Sequence, residues 1–518
     1  MEVAALATRQ MHGGMVRMKS NYFIHLCPGL LVSLVLNSFA SLRHFPCTDY
    51  FDDTYFVNGE PKKFEGYCTD VWFSQAIQFI KGHEKGKAEG KVPADKPFFV
   101  YLATNAPHHP FNVENKYADL YRGIAPTEDQ ARFYGMVTNI DENVGKLRSK
   151  LDEMELADNT ILIFMSDNGS GGGVSQLDKD GHVTEGPCNY NAGMRGMKGW
   201  EFEGGHRVPL LIHCPPCVLG PRTASHEETV GGQTCNELTA YVDIMPTVLD
   251  LTNTLVPEGR QFHGVSLGPI IRGYEQPELH GRTIVTDTQR VARPVKWFHS
   301  SVMKNKWRLI NGMELYNIEN DPGQRVDLSA DHPDLVAGLR AEYDKWWDIV
   351  SDQYGRDVPY VLGRAEDEIV ELSAHDIRNE ASDVPWLQQH VREAKVVSGY
   401  WALKIEAAGS YTIELRRWPK STNYTLTQGI DGDDSGWRKD CIQAKNAGMY
   451  EGGTALPLRW AHVEVQGNSL HNEVDPKATS TVFSVDLSMG ETQLFAAFYD
   501  KGPPRVIAPY YVYIKKVA

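Results

Sequence analysis

The chain of 518 residues is too long for one hydrophobic core, and its length predicts two to four domains at about 150 residues each. Hydrophobic residues make up 42% and charged residues 23%, a globular composition that excludes a mainly disordered, collagen-like or membrane-embedded chain. The net charge of −15 argues against nucleic acid as the main partner, because nucleic acids are bound by basic surfaces.

Residues 1–45 differ in pattern from the rest of the chain. Residues 23–36 (FIHLCPGLLVSLVL) are an apolar run with basic residues before it and small residues after it. This is the arrangement of a secretory signal, and it predicts a secreted or periplasmic protein. The run is too short for a stable membrane span, and Pro28 and Gly29 interrupt it. The alternative interpretation is a segment foreign to the following fold, with no assigned role.

Residues 46–275 alternate short apolar runs with helical patterns. This alternation predicts an α/β core with a mainly parallel sheet flanked by helices. Residues 98–102 and 161–165 are continuous apolar runs, as expected of strands that are buried on both faces, and residues 210–212 predict a third strand.

A long helix is predicted between the first two of these strands. Thr127 and Gln130 have the spacing of a capping box at its start. Its expected core stripe contains Phe133, Met136, Val137, Ile140, Val144, Leu147 and Leu151.

The remaining chain changes pattern twice. Residues 276–355 combine short alternating strands with one helix, which predicts a small α+β subdomain, and residues 356–394 are predicted to be a linker. Residues 395–518 contain period-two apolar runs joined by turn signals. Such runs predict a C-terminal antiparallel domain that resembles a β-sandwich.

Polar residues with chemical uses follow two of the predicted strands. The ends of parallel strands are where such sheets bind ligands. His108 and His109 lie after the first strand, and Asp167 and Asn168 directly follow the second. A carboxylate beside an amide oxygen suits Ca²⁺, although Asp-Asn-Gly is also a common tight turn. The two histidines are equally compatible with a solvent-facing loop.

A glycine-rich stretch at residues 193–209 is the third candidate. Glycines allow the backbone to approach an anion closely, and Arg195 and Lys198 supply positive charge. An ordinary basic surface loop before a strand is the alternative.

The order and spacing of these segments resemble the formylglycine-dependent sulfatases of the alkaline-phosphatase-like superfamily. The resemblance extends over roughly residues 49–349. It is carried by ATNAPHHPF at 103–111, NIDENVGKL at 139–147, ILIFMSDNG at 161–169, KGWEFEGGHRVP at 198–209, YVDIMPTVLDL at 241–251 and KWRLINGMELYNIENDPG at 306–323.

This resemblance implies a hydrolase of sulfuric esters, similar to arylsulfatases, that uses Ca²⁺. The matching positions imply that His108 binds the sulfate and assists the leaving group, and that Lys198 holds a sulfate oxygen. These two residues are the catalytic and substrate-binding candidates. Asp167 and Asn168 correspond to metal ligands. No specific role carries over to Arg195.

Two features of the family have no counterpart in the sequence. None of the eight cysteines, and no serine, begins the C/S-x-P-x-R motif whose first residue becomes formylglycine. The family's Asp-Asp metal pair is also missing, since Asp52 and Asp53 lie in a segment that resembles a later part of the family sequence. We therefore expect a sulfatase that lacks the N-terminal catalytic portion, with residues 1–45 in its place.

Three functional hypotheses remain at this point. The first is a sulfatase-family enzyme that acts on a small sulfate ester or a sulfated carbohydrate. The second is a non-catalytic remnant that binds an anionic or carbohydrate ligand. The third is a phosphoesterase of the same superfamily, which the sulfatase-like motifs disfavour.

Overall fold

A computed structural model describes most of the chain from Tyr50 to Val517. Within that span it does not describe residues 59, 175–176, 183–189, 216–233, 257, 290, 292, 380–383, 386–387, 433–451 and 501–505. The signal-like segment predicted at residues 1–45 lies outside the described residues, so the predicted secretion stays a prediction.

The described chain begins with a hairpin that packs on a long helix. Strands β1 (Thr54–Val57) and β2 (Glu60–Lys63) are antiparallel, and helix α1 (Cys68–Ala88) follows them. The Tyr55 and Trp72 rings lie 4.3 Å apart between centroids in a shared core. A short helix α2 (Asn115–Ala118) precedes the main helix of this region.

Helix α3 (Glu128–Glu153) begins where the capping box predicts it. The Thr127 hydroxyl accepts a hydrogen bond from the Gln130 backbone N–H at 3.2 Å. The predicted core stripe is only partly correct, because Met136 is buried but Val137 is exposed. Asn139 and Asn143 are buried instead.

Both amides donate to the Asp70 carboxylate of α1, at 3.1 Å for Asn139 and 2.7 Å for Asn143. This polar contact fixes which face of α3 meets α1. The apolar pattern of α3 therefore did not identify its whole buried face.

Two of the three predicted core strands are present. Strand β3 (Leu162–Met165) pairs antiparallel with β4 (Leu210–His213), so the described strands of this region do not form the predicted parallel arrangement. Residues 98–102 form no strand, although Phe98 makes a single β-bridge. Short helices α4 (Glu203–His206), α5 (Ile244–Leu251) and α6 (Gly268–Ile271) complete the region.

The predicted α+β subdomain is formed by a four-stranded antiparallel sheet and one helix. The strands follow chain order: β5 (Thr283–Asp287), β6 (Ser300–Lys304), β7 (Trp307–Ile310) and β8 (Glu314–Asn317). Helix α7 (Pro333–Ser351) packs on this sheet through the buried side chains of Leu339 and Tyr343.

The C-terminal region contains two sheets with one shared core. The strands and one short helix are β9 (Tyr360–Leu362), β10 (Val370–Ser373), α8 (Gln388–Arg392), β11 (Tyr400–Ile405), β12 (Gly409–Arg416), β13 (Leu458–Val465), β14 (Asn468–Glu473), β15 (Thr481–Leu487), β16 (Gly490–Asp500), β17 (Val506–Ile507) and β18 (Tyr511–Lys516). One sheet has the order β10-β18-β12-β15 and the other β14-β13-β16-β11-β9, with β17 beside β16.

The segment predicted to be a linker, residues 356–394, contributes to both sheets. Strand β9 pairs in parallel with β11, and β10 pairs antiparallel with β18. Leu362 and Leu372 from these strands belong to the shared core. The boundary at residue 395 therefore has to be corrected, because these strands are too short to show their period-two pattern in the sequence.

The mixed α/β class with a C-terminal antiparallel sandwich agrees with the expectation from the sequence. Among the described residues, no helix combines the length and apolar composition needed to cross a membrane.

Candidate functional site

The loop after β3 carries the predicted metal-binding pair. Asp167 is exposed, and Asn168 is half-buried. The Asn168 side-chain amide donates to the carbonyl oxygen of Gly169 at 3.0 Å, which orients the amide within the loop. This loop therefore presents a carboxylate and an amide oxygen at the end of a strand.

Gly169 is needed for close backbone packing. Its N–H donates to the carbonyl oxygen of Gly205 at 3.0 Å, and a Cβ at position 169 would lie 1.8 Å from the Gly204 carbonyl oxygen. Any larger residue would push the Asp167-Asn168 loop away from helix α4. The glycine of the Asp-Asn-Gly sequence is therefore required because Gly169 packs against Gly204 and Gly205.

Lys198 belongs to the chain segment that lies against this same loop. Its backbone N–H donates to the carbonyl oxygen of Ser170 at 3.0 Å. Its aliphatic stem passes Gly171, where a Cβ would lie 3.4 Å from the Lys198 Cδ. The cation and the carboxylate–amide pair are therefore anchored on one short stretch, residues 166–171.

His108 lies in a loop between two prolines. The peptide bonds before Pro107 and Pro110 are cis. The His108 side chain is exposed, its Nδ1 donates to the His109 carbonyl oxygen at 2.7 Å, and its own carbonyl accepts from the Tyr50 hydroxyl at 3.1 Å. These contacts fix the backbone and the ring of His108 and leave its Nε2 edge towards solvent.

The histidine loop packs near the β3 loop through Phe111. A Cβ at Gly172 would lie 2.8 Å from the Phe111 ring, so the two loops touch. The His109 ring packs edge-on against Phe111 at 5.4 Å between centroids. Burial there, together with the neighbouring His108, lowers the pKa of His109.

The structure thus brings three predicted segments next to one another. Lys198 is hydrogen-bonded onto the chain that carries Asp167 and Asn168, and the loop with His108 touches the same chain through an aromatic contact. The convergence of the four side chains on one sulfate group remains a prediction.

Tyr241 also lies at this loop, although no sequence pattern marked it as a site residue. Its hydroxyl donates to the Ser166 carbonyl oxygen at 2.7 Å. Burial and the negative charge of Asp167 raise the pKa of Tyr241 to about 12, so it stays protonated. Its only signal in the sequence was its place at the start of the segment at 241–251.

Arg195 has a structural position. Its guanidinium carbon lies 3.8 Å from the centre of the Phe202 ring, and its nitrogens donate to the Tyr316 hydroxyl at 3.0 Å and to the Asp180 carbonyl oxygen at 2.7 Å. Arg195 therefore ties the glycine-rich segment to strand β8.

A buried ion pair holds the same segment from its other end. Glu203 accepts from Arg308 Nε of β7 at 2.6 Å and lies 3.1 Å from His206 Nε2. Burial alone would raise the pKa of Glu203, but the hydrogen bond from His206 and the charge of Arg308 lower it to about 2. The ion pair between Glu203 and Arg308 therefore connects helix α4 to the α+β subdomain.

The described residues do not make a complete Ca²⁺ site. Ca²⁺ takes about six to eight oxygen ligands. Asp167 and Asn168 offer two side chains, and among the described residues no cluster of three or more His, Cys, Asp or Glu side chains is arranged to hold a metal. The pair therefore fits Ca²⁺ only as one part of a larger set of ligands.

A match to a family model covers the part of the chain that carries the candidate residues. Residues 28–254 match the model described as Sulfatase. These 227 of the 518 residues are similar to the sulfatase family. This sulfatase match contains all four candidate residues, His108, Asp167, Asn168 and Lys198.

Named sulfatases are among its relatives. An uncharacterized sulfatase, YdeN of Escherichia coli, is 28% identical over 46% of this chain and 37% of its own length. Mouse arylsulfatase J is 24% identical over 53% of this chain and 47% of its length. Human N-acetylgalactosamine-6-sulfatase is 26% identical over 51% and 49%. The chain thus spans about a third to a half of these relatives.

Solved structures give a partial match. The crystal structure of Ps i-CgsB in complex with k-i-k-neocarrahexaose has a TM-score of 0.47 and 27% identity, over 59% of this chain and 60% of that one.

Proposed function

We propose that this sulfatase-like chain acts on sulfate esters as a sulfuric ester hydrolase. The observation that carries the proposal is the hydrogen bond from the Lys198 backbone N–H to the Ser170 carbonyl oxygen, which places Lys198 beside the Asp167-Asn168 loop. A sulfate monoester is an anion, and a positioned ammonium group stabilises the negative charge on its oxygens.

Each residue has a role that its own position supports. Lys198 would hold a sulfate oxygen through its ammonium group. His108, with Nδ1 donating to His109, presents Nε2 to solvent, where the doubly protonated imidazolium would donate to the ester and pass its Nε2 proton to the departing alcohol. Tyr241, whose protonated hydroxyl donates to the Ser166 carbonyl oxygen, would hold the loop that carries Asp167 and Asn168.

We further propose a sulfated saccharide as the substrate class. Two relatives are named for the sugar they act on, the human and the dog N-acetylgalactosamine-6-sulfatase, at 26% and 29% identity. Human steryl-sulfatase, at 26% identity, is named for a different alcohol, so the alcohol has to be tested directly.

The test separates binding from turnover. The purified 518-residue chain is titrated calorimetrically with an aryl sulfate and with N-acetylgalactosamine 6-sulfate, and release of inorganic sulfate is followed separately. We expect binding of a sulfate ester that weakens about tenfold or more in Lys198→Ala. The proposal would be overturned if the parent chain bound no sulfate ester. It would also be overturned if Lys198→Ala and His108→Ala both bound as tightly as the parent chain.

A second candidate function is sulfate-ester binding without efficient turnover. It is favoured by the absence of any C/S-x-P-x-R motif from the 518 residues. Without a covalent nucleophile, positioning and electrostatics would leave only about 10³- to 10⁴-fold acceleration over water. Binding with turnover far below about 1 s⁻¹ would establish this second function.

A further inference from the structure

The outer face of the larger C-terminal sheet carries rings and polar groups in register. Trp460 and His462 of β13 lie opposite Tyr499 and Ala497 of β16, and Glu464 lies opposite Phe495. The period of two places these side chains on one face of the sheet. The opposite face of these strands supplies the sandwich core.

The rings on this face form a continuous cluster. The His462 and His471 rings stack at 4.2 Å with an angle of 2° between their planes, and Phe495 and Tyr499 lie 5.8 and 6.4 Å from His462. Ala497 is on the same face and is fully buried, so the surrounding rings cover it. Trp460 stays 41% exposed at the edge of the cluster. Trp460 is thus an exposed ring of this face, next to partly buried rings.

A cavity adjoins the ring cluster. It has a volume of about 580 Å³ and is lined in part by Tyr400, Glu464, Gln466, Gln493 and Phe495. The cavity is open to solvent, and its lining combines two rings with several polar groups.

Some polar side chains of the cavity are hydrogen-bonded within the protein, and others have no hydrogen bond to the described chain. The Gln466 amide exchanges two hydrogen bonds of 2.9 Å with the backbone of Ser488. The Tyr400 hydroxyl donates to Asp357 at 2.9 Å. Within the described chain, the side chains of Glu464 and Gln493 form no hydrogen bond, so these two groups can pair with hydroxyls of a ligand.

The charge of the cavity selects against anions. Glu464 is its one charged lining residue among those the structure describes, and an acidic group repels a sulfate or a carboxylate. Burial and the adjacent His471 lower the pKa of His462. The Arg459 guanidinium lies 5.8 Å from the centre of the Trp460 ring, outside the lining of the cavity. A ligand with hydroxyl groups and an apolar ring face, but no charge, fits both the cavity and the rings.

We propose that this face of the sandwich binds a neutral saccharide. Trp460 and Phe495 would stack on sugar rings, and Glu464 and Gln493 would bond to sugar hydroxyls. This site is separate from the sulfate-ester residues and does not depend on their function. It would attach the chain to an unsulfated stretch of a glycan.

The test is affinity electrophoresis of the whole chain in native gels. The gels contain galactomannan, xyloglucan, arabinogalactan or carrageenan, of which only the last is sulfated. We expect retardation by at least one neutral polymer, and an apparent dissociation constant about tenfold higher for Trp460→Ala. Glu464→Ala should weaken binding as well, whereas Glu464→Gln, which keeps an acceptor and adds donors, should restore most of it.

Two controls make the result specific. Val482→Ala removes an exposed apolar side chain from the other sheet and should leave retardation unchanged. Trp460→Ala should leave sulfate-ester binding unchanged, so the two proposals fail separately. Retardation by carrageenan alone, by no polymer, or equally in Trp460→Ala would overturn the saccharide site. So would a Trp460-dependent dimer in sedimentation, which would assign the face to a second copy of the chain.

Discussion

The C-terminal sandwich (residues 356–518) and the sulfatase portion (residues 50–355) differ in how their described apolar residues are buried. In the sandwich, one core joins both sheets, and Trp401, Leu403 and Ile413 are fully buried in it. In the sulfatase portion, the described buried residues form smaller separate clusters. Phe164 and Leu211, on its paired strands β3 and β4, remain exposed.

Buried ion pairs connect distant segments of the sulfatase portion. The Glu203–Arg308 pair links helix α4 to strand β7, and Asp243 accepts two hydrogen bonds from Arg282. Each pair stabilises the fold only when both partners are present, because a buried charge without its partner lowers the free energy of unfolding. The sandwich should therefore behave as an autonomous unit, and the sulfatase portion as one that depends on specific pairs.

The largest expected effect concerns the sandwich boundary. Residues 356–518 should fold without the rest of the chain, whereas residues 395–518 should not, because they lack β9 and β10. Circular dichroism and urea unfolding of the two fragments give the measurement. A cooperative transition in the shorter fragment would show that the two early strands are dispensable.

The second effect concerns the buried ion pair. Glu203→Gln should lower the free energy of unfolding by about 3–5 kcal/mol, because Arg308 keeps its charge without a carboxylate. Glu342→Gln is the matched control, since its partner Lys345 is exposed, and it should cost less than about 1 kcal/mol. Equal effects in urea denaturation would contradict the assignment.

The third effect compares apolar residues of the two regions. Leu403→Ala should cost about 2–5 kcal/mol, because it opens a cavity in the sandwich core. Phe164→Ala should cost about 1 kcal/mol or less, since its ring is already exposed to solvent. A large loss in Phe164→Ala, measured by urea unfolding, would mean that another part of the chain covers this strand.

The fourth effect is a pH dependence from Glu203. Its pKa of about 2 in the folded protein lies below the ordinary value of 4.5, so its stabilising contribution is complete above pH 4.5. That contribution is lost as the pH falls from about 4.5 towards 2, where the carboxylate takes up a proton in the folded state. Urea midpoints measured across this range should fall less steeply in Glu203→Gln than in the parent chain.

The smallest effect concerns Ca²⁺. With two side-chain ligands, Asp167 and Asn168, we expect a dissociation constant of about 10⁻³ M, so about 1 mM Ca²⁺ should stabilise the chain by about 0.4 kcal/mol. Titration calorimetry measures the affinity, with Asp167→Asn as the control. A submicromolar constant would show that further ligands complete the site.

Several local features were predictable because neighbouring residues determine them. Thr127 caps α3 because its hydroxyl reaches an N–H three residues ahead. The long alternating runs of β11, β12 and β16 indicated a sandwich for the same reason. The four candidate site residues came from a family resemblance, which the match at residues 28–254 confirms at the level of the family.

What the sequence determined by itself is therefore the class of each long element, the resemblance to sulfatases and the segments that carry the family's motifs. Tertiary structure decided which segments meet. Gly169 lies against Gly204, Glu203 pairs with Arg308, and β10 joins β18 across more than a hundred residues. Local pattern cannot specify such contacts, because each depends on packing and charge between distant parts of the chain.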